Sequence, residues 1–130
     1  NASITQKASA TAAAALMELQ QILAAPPSAE HSGRWRWSVR QHLSPVRDLL
    51  VGEAARPDGE WLAPRHGSAM RERRTLLQRV SAIGPQVLEA TDVEPVRVEA
   101  LRLVDDIRHH LQRRSDLAWD DVEQEFGGSE

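Results

Sequence analysis

The sequence predicts an all-α protein of four helices in an up-down-up-down bundle. Three observations carry that expectation. Apolar residues recur at three- and four-residue spacing along nearly the whole chain. Period-two alternation surfaces only at Trp35-Arg36-Trp37-Ser38-Val39, too briefly for a strand. Prolines and glycines punctuate the periodic stretches at intervals that leave four segments long enough to bury one face each.

The first helix is expected over residues 3–25, with Ile4, Ala8, Ala12, Ala15, Leu16, Leu19, Ile22 and Leu23 on one face. Its alanines favour the helix and permit close packing. Pro26-Pro27 ends it, since proline has no amide to donate and restricts the residue before it. The second helix spans residues 34–55, with Trp35, Val39, His42, Leu43, Val46, Leu49 and Leu50 inward. Pro45 falls inside it; either the helix bends there or Ser44 caps a fresh start, and the stripe staying in phase favours a bend. Residues 56–67 read as a loop. The third helix is expected over residues 68–90, capped by Ser68, with Met70, Leu77, Val80, Ile83, Val87 and Leu88 inward and a bend at Gly84-Pro85. The fourth starts near Glu94, with Pro95 in its first turn, and stops at Gly127-Gly128. Val96, Ala100, Val104, Ile107, Leu111, Ala118 and Val122 form its stripe. Residues 3–128 are expected to form one domain.

Composition excludes several classes. There is no cysteine, hence no disulfide, thiolate site or cysteine nucleophile. The net charge of −3 argues against a dedicated nucleic-acid binder, and no apolar run approaches the ~20 residues of a membrane span. No basic start followed by a long apolar stretch marks a signal peptide, so a cytoplasmic location is expected. Nucleophile elbow, phosphate loop, dinucleotide fingerprint and His-Glu-x-x-His are all missing, and no catalytic residue or enzymatic activity is expected.

The end of the chain carries a resemblance. His110, Gln112-Arg113, Asp116-Leu117, Trp119 and Gly127-Gly128 look like the closing pattern of the hemerythrin-like, cation-binding four-helix bundles, in the variant common in actinobacteria. Pro57-Asp58-Gly59 followed by Pro64-Arg65 resembles the family's loop between its second and third helices. The similarity covers roughly residues 34–128. It implies a hemerythrin-like bundle whose active members hold non-haem iron or another cation between the helices. The ligands fail to carry over at most positions. Leu50 and Ala54 or Ala55 stand where the family has a histidine and an acid. Residues 73–77 contain no histidine, and Arg114 follows His110 where many members have Glu. The resemblance thus implies a degenerate metal site and no cofactor, the alternative being a non-haem iron or single-metal protein for oxygen, redox or metal sensing.

The remaining metal candidates are His42, His110 and Asp106, the last one turn before His110. For both histidines the competing reading is a hydrogen-bonded core or boundary residue. His110 sits at the edge of the stripe and His109 faces away. The Arg34-Trp35-Arg36-Trp37 segment reads as Trp35 in the core with solvated arginines, rather than as a nucleic-acid or membrane patch. Trp37 falls off the stripe. With Trp61, it is the expected contact of a homodimer. Arginines at 65, 71, 73, 74 and 79 face many acids on the fourth helix, for ion pairing within the bundle or between subunits. Arg114 is expected on the inner face, paired with Glu53 or, failing that, with Asp121.

Overall fold

The computed structural model describes the backbone of residues 2–54 and 64–127, and side chains chiefly within 10–52 and 67–114. Four helices follow in order: α1, Ala2–Leu23; α2, Ser32–Ala54; α3, Pro64–Glu89; and α4, Glu94–Gly127, with a short 3-10 turn at Ala29–His31. Among the described residues there is no strand. Each helix packs against two neighbours, α1 on α2, α2 on α3, α3 on α4 and α4 on α1, which closes a four-helix ring.

The core is built at helical spacing from all four. Leu16, Leu19 and Leu23 come from α1, and Val39, Leu43, Val46 and Leu50 from α2. Leu76, Val80, Ile83 and Val87 come from α3, and Ala100, Leu103, Val104 and Ile107 from α4. This is the amphipathic pattern read from the chain, with Leu103 added on α4 beyond the expected stripe and one shift on α3. Leu76 is buried, whereas Leu88, expected inward, is exposed. Val87 already fills the last inward position, and its neighbour points about 100° away on the helix.

Helix boundaries depart from expectation chiefly in two places, and the helices run through their prolines as expected. α1 ends at Leu23, two residues short of 25, because Ala24 already bonds to Gln21 in a tighter turn. α3 begins at Pro64, where proline suits a first helical position, so Ser68 lies inside the helix and caps nothing. α2 and α3 continue through Pro45 and Pro85. Both prolines lie on exposed faces, as do Gln41 and Ser81, whose carbonyls lose their helical partners and can take water instead. Ser44 therefore opens no new helix.

One end of the bundle is tied by two arginines. Arg97, in the first turn of α4, donates to the carbonyl of Leu23 at 2.8 Å, at the end of α1. Arg36, early in α2, donates to the carbonyls of Val87 and Leu88, both at 3.3 Å, and to that of Ala90, at the end of α3. The last carbonyls of a helix lack internal partners and carry its negative dipole end, so a guanidinium is a suitable cap. Trp35 donates its indole proton to the carbonyl of Ile22 at 3.0 Å. Arg36 is thus not the solvated residue expected from the sequence. At the opposite turn, the Glu94 amide is capped by Asp92 Oδ1 at 3.0 Å.

Candidate functional site: a buried histidine bound to a shared carboxylate

Glu72 occupies the first inward turn of α3. It stands four residues before Leu76 and eight before Val80, on the edge facing α4. His110 meets it from α4 and is fully buried, not a boundary residue as the helical wheel had placed it. Its Nδ1 donates to Glu72 Oε1 at 2.6 Å. Arg113 Nη2 donates to the other carboxylate oxygen, Oε2, at 2.7 Å. Both oxygens of one carboxylate are therefore engaged by two cationic or ionisable donors from the same helix.

The electrostatics follow from that sharing. Partial burial acts to raise the Glu72 pKa. Hydrogen bonds from Arg113 and His110, with the positive charge they bring, outweigh it and hold the carboxyl below its ordinary value. The carboxylate needs a proton on Nδ1, which fixes that end of the His110 ring. An anchored histidine of this kind can hold two helices in register, or hold a ring ready to act as ligand or base.

The other expected site residues lie elsewhere. Asp106, one turn before His110, bonds instead to Arg79 at 2.7 Å, and Arg79 also reaches Glu99 at 3.3 Å. This is the ion pairing between α3 and α4 that the charge pattern implies. His42 is half-buried, with Nδ1 2.8 Å from the Ser38 carbonyl of its own helix. His109 is exposed and bonds back to the Asp105 carbonyl at 2.9 Å. His31 pairs with Ser28 in the 3-10 turn, and residue 66 falls within α3 rather than in a loop. Arg114 is half-buried; the side chains of Glu53, Asp121 and Trp61 lie outside the described residues. Trp37 is 55% exposed. Among the described residues no group of three or more histidines and acids is placed to hold a metal ion.

Sequence reasoning passed over Glu72. The signal was present, because Glu72, Leu76, Val80, Ile83 and Val87 form one continuous helical stripe. An acid in such a stripe needs a partner across the interface. Arg36 also had a signal. A cation near the start of a helix opposes its own dipole unless it serves the end of a neighbour.

The fold class is an all-α four-helix bundle in which no helix of the described residues is long and apolar enough to cross a membrane. No family model, no curated protein and no solved structure matches the chain.

Proposed function

We propose that the protein is a metal-free, hemerythrin-like bundle that acts as a structural or protein-interaction module rather than an enzyme. The observation that carries this reading is the saturation of Glu72. Its two oxygens are taken by His110 and Arg113, and Arg113 brings a permanent positive charge to the place where a cation would sit. In this reading the triad ties α3 to α4, and a fixed guanidinium supplies the charge that a metal supplies in the family the tail resembles. The outward-facing Trp37 is the kind of residue a partner covers, and a homodimer is the simplest such assembly.

A second reading has one observation in its favour. A buried histidine donating Nδ1 to a carboxylate is the support that metal-ligating histidines commonly receive. On that reading the bundle binds a non-haem metal and serves oxygen, redox or metal sensing. Elemental analysis separates the two. Protein purified without added metal should hold iron, zinc and manganese well below one per chain, and added Fe(II) or Zn(II) should leave its melting temperature unchanged. One or two tightly held ions per chain would overturn the metal-free reading.

A further inference from the structure

The edge of the bundle formed by α2 and α3 carries a charge pattern of its own. Arg36 marks the α3-facing edge of α2, since it reaches the last carbonyls of α3. Arg40 and Arg47 follow along that edge at helical spacing, and both are exposed. On α3, Glu72 and Arg79 mark the side facing α4. On the opposite side, Arg73 is turned toward α2, and Arg74 stands about 100° farther round, on the exposed face. Among the described residues, Arg40, Arg47, Arg73 and Arg74 have no ion-pair partner. Of the described acids of α2 and α3, Glu72 and Glu89 fall away from α2, whereas Asp48 stands beside Arg47 on the face of α2 that carries Trp37. Trp37 and Leu88, both exposed, lie at one end of the strip, where Arg36 joins the two helices.

Four arginines against the single acid Asp48, beside an exposed tryptophan, suit an occupant that is acidic and has an apolar stripe. The chain itself contains one. Residues 115–130 hold six acids and no basic residue. The α4 backbone is helical through Gly127, and Trp119, Val122 and Phe126 stand three and four residues apart, one helical stripe among those acids. Glu72 lies opposite His110, so Pro64, where α3 begins, is level with about residue 118 of α4. About nine residues of α4, ~13 Å of helix, run on past that level. A helix running on in that direction does not turn back onto its own α2–α3 edge.

We propose that the cationic α2–α3 edge, with Trp37, docks the acidic end of α4 from a second copy of this chain. The contact is reciprocal, each copy offering its edge and its acidic helix to the other, as a two-fold axis requires. This proposal rests on the interaction-module reading and names its surface.

Sedimentation of the full chain tests it. The parent should reach twice the 14.5 kDa monomer mass at low salt, and its dissociation constant should rise at least about tenfold between 50 and 500 mM salt. Arg40→Glu with Arg74→Glu should give a monomer with the parent's circular dichroism. Asp120→Arg with Glu123→Arg should do the same. Mixing the two variants should restore the dimer, because each reversed surface then finds its complement. A parent that stays monomeric at high concentration overturns the proposal. So does a dimer that survives both reversals, although that result leaves an interaction module standing with its contact elsewhere. A monomer whose binding to a DNA duplex or phosphatidylserine vesicles is lost on reversing Arg40 and Arg74 also overturns it, in favour of a polyanion site. Stoichiometric metal in the same preparations would instead remove the underlying metal-free reading.

Discussion

Replacing Glu72 by alanine isolates the interaction at the centre of the α3–α4 interface. Two terms are lost. The first is the bond from His110, a fully buried donor at 2.6 Å, and a charge-assisted hydrogen bond of this kind contributes about 1.5–3 kcal/mol. The second is the pair with Arg113. Arg113 is 56% exposed and the Glu72 side chain 37% exposed, so water screens this pair to about 0–1 kcal/mol. The substitution should therefore cost about 2–3 kcal/mol, and most of that is the loss of the buried bond from His110. For a chain of this size, that is a fall in melting temperature of about 6–12 °C. Arg113→Ala should cost less than about 1 kcal/mol. Replacing both Glu72 and His110 by leucine should recover part of the loss, because the carboxylate and its buried donor are then removed together. Thermal unfolding followed by circular dichroism at neutral pH measures all four proteins. The reasoning fails if Glu72→Ala melts within about 2 °C of the parent, or no lower than Arg113→Ala.

The same carboxylate predicts a pH dependence. Its folded pKa is lowered, so its contribution is complete above the ordinary glutamate value of about 4.3 and fades as pH falls below that toward the lowered folded value. Denaturant titrations should show the parent's advantage over Glu72→Gln at pH 6 shrinking as the pH is taken below 4. Arg36→Ala should destabilise by about 1–3 kcal/mol by uncapping the end of α3, and should speed amide exchange in the last turn of α3 ahead of the other helices. Leu103→Ala, at a fully buried core position, should cost about 2–5 kcal/mol in urea unfolding. Trp37→Ala should change monomer stability by about 0.5 kcal/mol or less, since its ring already faces solvent.

Because helical spacing and proline punctuation are local properties, the number and type of elements, the faces they bury and most of the core were legible in the chain, though Leu76 and Leu103 were not. Leu16, Leu43, Val80 and Ile107 announce themselves by their neighbours three and four positions away. Even the acidic end of α4 and the arginines of α3 could be read as complementary charge. The bundle alone decided who meets whom. His110 had two available acids at helical spacing or across the interface, Asp106 and Glu72, and packing gave Asp106 to Arg79 and Glu72 to His110. Arg36 became a cap only because the start of α2 lies beside the end of α3. Burial of His110, the sharing of one carboxylate and the run of unpaired arginines along α2 and α3 arise from the relative rotation and register of helices distant in sequence. Periodicity specifies the face each helix buries; the packing of all four sets the register that pairs one helix with the next.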